Sequence, residues 1–170
     1  GDLGFRHVSV EPASGPADDP FAIREEDLSQ VREEYEKLAR ALMDRKDINF
    51  FHFNVDLAQG PCVIKRLRGC GAGCEYVAIT PDGDIYPCHQ FVGREEYRMG
   101  NVRSGDFDMD ISRKFAELNI YTREDCRNCW ARFYCSGGCS ASNLLVNGDI
   151  NKPNAVACEM ERKRLECAIA

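Results

Sequence analysis

The sequence lacks the features that mark membrane-inserted, exported and nucleic-acid-binding proteins. No run approaches the roughly 18 consecutive apolar residues that a membrane-spanning helix needs. The opening stretch, GDLGFRHVSVEPASG, does not follow the basic-then-apolar order of a signal peptide. Lysine- and arginine-rich blocks are absent, and the formal net charge of -6 argues against a polyanionic partner. We therefore expect a cytoplasmic protein that binds neither a membrane nor nucleic acid.

The sequence also lacks an initiator methionine, and it opens directly on a predicted strand. We expect it to be a fragment of a longer protein. Residues 5–11 and 48–55 have the composition of strands, and apolar residues at steps of three and four predict an amphipathic helix over residues 24–45. A strand, a long helix and a second strand are typical of the trailing part of an α/β domain.

Cysteine, by contrast, is abundant: the chain has 10 in 170 residues. None precedes Cys62, and this change near Gly60 predicts two domains, residues 1–59 and residues 60–170. Secreted disulfide frameworks are also rich in cysteine. Nothing indicates secretion here, and the cysteines form close-set groups as metal ligands do. We therefore favour metal binding over disulfides or inert thiols.

The densest cysteine group is CRNCWARFYCSGGC, which runs from Cys126 to Cys139. Iron–sulfur clusters are bound by cysteine thiolates, and in two-cluster ferredoxins the fourth cysteine of a dense run serves the other cluster. Gly137 and Gly138 allow a sharp backbone reversal before Cys139, which could therefore serve a second cluster. All-cysteine zinc sites also use pairs such as Cys126 and Cys129. The spacing thus leaves open a zinc-stabilised interaction module as the alternative.

Regular structure around these cysteines is predicted to be short. Residues 76–88 indicate a β-hairpin with its turn at residues 81–84, where Gly83 supplies a positive φ. A short helix is predicted over residues 112–120 with Ser112 as its cap, and a terminal helix over residues 159–169. Loops are predicted between these elements.

The cysteines follow the pattern Cys70-x12-Gly83-x4-Cys88, then Cys126-x2-Cys129-x5-Cys135-x3-Cys139, then Cys158. This pattern resembles the seven-cysteine SPASM signature, found at the C-terminus of radical S-adenosylmethionine peptide and protein maturases. The resemblance covers roughly residues 60–170 and implies an α+β fold. The last strand and helix of a partial radical-SAM (β/α)6 barrel would precede a small, loop-rich domain, with a β-hairpin and short helices around two 4Fe–4S clusters.

The resemblance also implies which cysteine binds which cluster. The ligands of an outer cluster would be Cys126, Cys129, Cys135 and Cys158, and those of an inner cluster, nearer the active site, would be Cys70, Cys88 and Cys139. Cys74 stays ambiguous: it either completes the inner cluster or leaves one iron open to a substrate thiolate.

Three finer stretches, at residues 59–62, 68–93 and 129–139, are similar to the maturases of SCIFF peptides. These are short ribosomal peptides with six cysteines, cross-linked by a thioether between a cysteine sulfur and a threonine α-carbon. The resemblance implies a cysteine-rich precursor peptide and an electron donor or acceptor protein as partners. The auxiliary clusters would accept an electron, and the inner one could bind the substrate thiolate.

One family motif is missing. The Cys-x3-Cys-x2-Cys motif, which binds the cluster that cleaves S-adenosylmethionine, does not occur: Val77 follows Cys70 and Cys74 at that spacing, and Ser142 follows Cys135 and Cys139. The chain alone is therefore not expected to generate a radical. An intact parent would add a third 4Fe–4S cluster and S-adenosylmethionine.

The remaining candidates are weaker. His89 follows Cys88 at a place where sulfatase-maturing relatives carry an aspartate that acts as a base. His89 is therefore a candidate for proton transfer, although a hydrogen-bonding or surface role is the simpler interpretation. His7 and His52 are expected to be structural, and Cys62 and Cys167 to be buried thiols. Glu11 could face the active site of the barrel, although a charged strand terminus is the simpler interpretation. Three aromatic residues are expected to shield a cluster from water: Trp130, Phe133 and Tyr134.

Overall fold

The computed structural model describes residues 3–13, 15–16, 18–55 and 63–170. Its N-terminal part is a parallel β–α–β unit. Strand β1 (His7–Val8) pairs with β2 (Asn49–Phe50), and helix α1 (Leu28–Met43) connects them after a 3-10 turn at Glu25–Asp27. A crossover helix is the usual way to join two parallel strands.

These elements are shorter than predicted, because alternation of side chains does not tell which backbone groups find a partner. Only two residues of each predicted strand pair, and Phe51–Phe53 continues β2 as a 3-10 turn. That the unit is the end of a (β/α)6 barrel stays a prediction. The predicted domain boundary near Gly60, and Cys62 with it, lies outside the described residues.

The C-terminal part contains a four-stranded antiparallel meander. Its strands, in sheet order, are β3 (Ala78–Ile79), β4 (Asp84–Tyr86), β5 (Gly100–Asn101) and β6 (Asp106–Phe107). The first two form the predicted hairpin, and Gly83 has the positive φ, 91°, that the turn requires. Asp84, predicted in the turn, instead begins β4, where its backbone N–H donates to Thr80 Oγ1 at 3.1 Å.

Six helices of this part are described: α2 (Val63–Arg68), α3 (Met109–Ala116), α4 (Glu124–Arg127), α5 (Arg132–Cys135), α6 (Ser140–Asn147) and α7 (Ala155–Ile169). The predicted cap Ser112 is wrong. Asp108 caps α3, because its side chain accepts a hydrogen bond from the Asp110 N–H at 2.8 Å. Ser112 lies inside α3 and donates from Oγ to the Gly73 carbonyl at 2.9 Å.

A hydrophobic core lies between the meander and helices α3 and α6. Phe91 is 1% exposed, and its ring centroid lies 4.7 Å from that of Tyr97 and 5.3 Å from that of Phe115. Burying such a side chain contributes roughly 1.5–3 kcal/mol. Cys88 belongs to the same core, so the packing that stabilises the meander also fixes one of the predicted metal ligands.

Helix α7 joins the two parts of the chain. Glu159 lies 2.6 Å from Arg32, and Lys163 lies 2.5 Å from Glu36, both across the contact with α1. The hydrogen bond from Lys163 lowers the pKa of Glu36. None of the helices in the described ranges is both long enough and apolar enough to span a membrane.

The histidine at position 52 packs into the same region. Its Nδ1 lies 2.7 Å from Arg164 Nη1, and its Nε2 lies 2.9 Å from Glu11 Oε1. Its ring packs edge-on against Phe50, with centroids 5.3 Å apart. These contacts hold the His52 ring against Arg164, Glu11 and Phe50, and the roles of His52 and Glu11 stay predictions.

Candidate metal centre

Four of the seven signature cysteines surround one cavity. Its volume is about 720 Å³, and its thiol-bearing residues are Cys126, Cys129, Cys135 and Cys158. These are the four that the resemblance assigned to an outer cluster. We call this space the first cavity.

Local turns bring the first pair of thiols to the same wall. Cys126 lies in α4, and the N–H of Cys129 donates to the Cys126 carbonyl at 3.1 Å, which closes a tight turn. Cys135 is the last residue of α5. Cys158 lies in the first turn of α7, whose cap Asn154 accepts a hydrogen bond from the Ala157 N–H at 3.3 Å.

The chain reverses between Cys135 and Cys139. Three consecutive residues have positive φ: Ser136 at 59°, Gly137 at 89° and Gly138 at 73°. A Cβ on Gly137 would lie 2.5 Å from Arg123 Nη1, so glycine is required there by both backbone conformation and packing. After this reversal, Cys139 lines only the second of two neighbouring cavities, whereas Cys135 also lines the first.

The other three signature cysteines surround a second cavity of about 490 Å³: Cys70, Cys88 and Cys139. Cys135 and Cys158 line both cavities, so the two spaces are neighbours. These three thiols differ in exposure: Cys88 is buried, whereas Cys70 and Cys139 are exposed. We call this space the second cavity.

Other predicted residues fall at different places. His89 lines the second cavity, and the Tyr76 hydroxyl lies 4.0 Å from Cys70 Sγ in the same space. Tyr134 lines it too, but Trp130 is 49% exposed and lies outside the described lining of both cavities. Whether these aromatic side chains shield a bound cluster stays a prediction.

Cys74 is exposed, and in the described part of the chain it does not line the second cavity. Its Sγ donates to the Gly71 carbonyl at 3.5 Å. Cys167 likewise lies away from both cavities, on α7. Within the described residues, no three Cys, His, Asp or Glu side chains already converge as ligands of one metal ion.

Burial dominates the electrostatics of the first cavity. It raises the pKa of Cys135 to about 11, with Glu161 and Cys158 adding to the effect. It also raises the pKa of Cys158 to about 11, although Arg162 opposes it. Both thiols are therefore protonated at neutral pH without metal, and a bound metal must displace those protons.

Hydrogen-bond donors that face the thiols offset part of the rise in pKa that burial causes. The backbone N–H groups of Gly137 and Gly138 lower the pKa of Cys135, and those of Gln90 and Phe91 lower that of Cys88. Such donors favour the charged sulfur, and they tune the potential of bound iron–sulfur clusters.

Two arginines near the thiols were missed from the sequence. Arg162 Nη1 lies 4.0 Å from Cys129 Sγ, and Arg123, which is 3% exposed, donates from Nη2 to Ser140 Oγ at 2.8 Å. No spacing rule marks them, because Arg162 is 33 residues away from Cys129 along the chain. Only packing of the folded chain reveals their positions.

The donor set and the space fit an iron–sulfur cluster. Thiolates are the ligands of such clusters, of zinc and of copper(I). The first cavity, at about 720 Å³, is many times the roughly 30 Å³ that one water occupies in the liquid. Four thiols around a space of this size can hold a polynuclear cluster.

Comparison with known proteins points the same way. Residues 70–130 match the SPASM family, which is described as an iron–sulfur cluster-binding domain. The chain is 29% identical over 115 residues to mycofactocin maturase MftC of Mycolicibacterium smegmatis, a match that covers 65% of this chain and 29% of that protein. It is 26% identical over 164 residues to a cysteine-type anaerobic sulfatase-maturating enzyme of Clostridium novyi, covering 88% of this chain and 41% of that enzyme.

The matches therefore span less than half of each curated relative. An uncharacterized protein of Archaeoglobus fulgidus, 33% identical over 100 residues, is covered for 24% of its length. The signature cysteines around these cavities thus lie in a chain whose residues 70–130 match the SPASM family of iron–sulfur cluster-binding domains and which is similar in sequence to two maturases.

Proposed function

We propose that the chain is the auxiliary-cluster part of a radical S-adenosylmethionine maturase and holds two 4Fe–4S clusters. The observation that carries the proposal is that the seven signature cysteines line two neighbouring cavities: four line the first, two of these also line the second, and the other three line only the second. The likeness to two maturases supports it. In an intact parent, a barrel would contribute S-adenosylmethionine and a third cluster.

The protein's part in this function is to bind and orient. The four thiols of the first cavity complete the ligand set that a four-iron cluster requires. When bound, such clusters supply one-electron transfer at potentials set by charge, hydrogen bonds and exposure. Arg162 and the N–H groups of Gly137 and Gly138 lie next to the sulfurs and hold the negative charge that binding creates.

The second cavity differs, because only three signature thiols, those of Cys70, Cys88 and Cys139, line it without also lining the first cavity. A fourth ligand position is left for a thiolate from outside, since Cys74 donates its S–H to the Gly71 carbonyl instead. We propose that a cysteine of a ribosomal precursor peptide takes this position and becomes part of a Cys–Thr thioether. His89 lines the same cavity and is the candidate to hold a proton there.

Metal and sulfide analysis of the anaerobically purified chain tests the proposal directly. We expect a brown protein with about eight irons and eight acid-labile sulfides per chain, the content of two four-iron clusters. A colourless protein with zinc and no sulfide would support the zinc-stabilised module instead. Reconstitution with iron and sulfide, with zinc, or with all three, followed by the same analysis, shows which metal the thiols prefer.

Thiol alkylation distinguishes ligands from bystanders. Cys139 and Cys74 are both exposed, and an accessible thiolate reacts with iodoacetamide. We expect Cys139 to be alkylated in the metal-free protein and protected in the loaded protein, whereas Cys74 is alkylated in both. Peptide mass spectrometry measures each site. Protection of Cys74 on loading would identify it as a fourth inner ligand and remove the open position.

A further inference from the structure

A buried arginine contacts one lining residue of each cavity, Gly137 of the first and Ser140 of the second. Arg123 precedes α4 and is 3% exposed. Its guanidinium donates to the Gly137 carbonyl, to Ser140 Oγ at 2.8 Å and to the Ile150 carbonyl at 3.2 Å. These three acceptors are neutral, so the hydrogen bonds hold the side chain in place without balancing its charge.

The charged groups that act on Arg123 are thiols. Burial lowers the pKa of the guanidinium, and the thiolates that oppose this effect come from both sites: Cys126, Cys135, Cys139 and Cys70. Cys126 and Cys135 line the first cavity, and Cys139 and Cys70 line the second. A buried cation is costly without a compensating negative charge. Once metal binding has displaced the thiol protons, the compensating charge at this position would be thiolate sulfur.

The same side chain organises the loop between the two sites. Its contacts reach Gly137 and Ser140, which flank Cys139, and Gly137 leaves no room for a Cβ beside the guanidinium. Arg123 therefore packs where the chain leaves the first cavity and enters the second. One side chain touches the segment that links both ligand sets.

We propose that Arg123 is a positioning residue shared by the two sites, whose single buried positive charge makes reduction of both bound clusters more favourable. The inference rests on the proposed function, because it requires clusters in both cavities. Reduction adds one electron from an external one-electron donor to a cluster, and no bond forms or breaks. A nearby fixed cation in a water-poor interior favours the more negative, reduced state.

The test compares midpoint potentials in loaded protein. The parent chain and its Arg123→Met and Arg123→Lys variants are titrated anaerobically with dithionite and followed by electron paramagnetic resonance. In R123M we expect reduction of both clusters to be about tenfold less favourable, which is a fall of ~59 mV for one electron. R123K keeps the charge, so its potentials should stay close to those of the parent.

Arg127→Met is the matched control. Arg127 is also next to a ligand, but it is exposed and donates from Nε to the Tyr121 carbonyl at 2.7 Å. Its charge is screened by water, so neither potential should shift. An equal shift in R127M and R123M would show that burial of the charge is not the cause.

Three outcomes overturn the inference: unmoved potentials in R123M, a shift of only one cluster, or an equal shift in R123K. If R123M does not load, R123Q replaces it as the neutral variant. Loss of clusters from both neutral variants but not from R123K supports the charge, and loss from R123K as well contradicts it. Absence of iron from the parent chain would refute the proposed function itself, which separates the two failures.

Discussion

Removing Cys126 and Cys129 together is expected to halve the iron and sulfide content of the protein. Both thiols line the first cavity and neither lines the second. A double Cys→Ala substitution leaves two thiols where a four-iron cluster takes four. The loss should be about four irons per chain, with the second site still filled. Iron and sulfide analysis, together with the remaining paramagnetic signal of the reduced protein, measures this.

The reciprocal variant and a matched control complete the experiment. Replacing Cys88 and Cys139 should remove the other half of the iron, because these two line only the second cavity. Replacing Cys74 and Cys167 removes the same number of thiols outside both cavities, so the iron content should not change. Loss of all iron from both ligand variants, with none lost from the control, would indicate a single shared site and contradict the two-cluster proposal.

The backbone turns between Cys126 and Cys139 were predictable because they are local. A two-residue gap closes one turn, as the Cys129 N–H to Cys126 carbonyl bond shows. Gly137 and Gly138 were expected to reverse the chain, and their φ values of 89° and 73° agree. Whether each thiol binds its assigned cluster stays a prediction, because the positions of the side chains alone do not identify the metal ligands.

The rest depended on distant contacts that no spacing contains. Cys74 lies outside the described lining of the second cavity, and its S–H donates to the Gly71 carbonyl. Arg123 donates to the carbonyls of Gly137 and Ile150, which lie 14 and 27 residues away along the chain. The cap of α3 was predicted wrongly because serine and aspartate are both favoured at this position. In the structure Asp108 caps the helix, and Ser112 instead donates to the Gly73 carbonyl.

The sheet that delivers Cys88 also depends on a residue that the sequence did not single out. Gly100 in β5 pairs with Phe107 of β6 and with Ile85 of β4. Its φ is +139°, and an added Cβ would lie 2.1 Å from the Asp106 carbonyl oxygen. That oxygen belongs to the neighbouring backbone and cannot rotate away as a side chain would. The clash can be relieved only by moving the two strands apart.

Gly100→Ala is therefore expected to destabilise the protein strongly. Backbone strain contributes about 1–3 kcal/mol and overpacking a similar amount. A loss near 3 kcal/mol lowers the melting temperature of a domain of this size by about 6–12 °C. Gly105→Ala is the control: its φ is also positive, +75°, but nothing lies within 4 Å of the added Cβ. Strain alone should then cost about 1 kcal/mol. Thermal unfolding of the loaded proteins compares them, and equal melting temperatures for the two variants would contradict the steric argument.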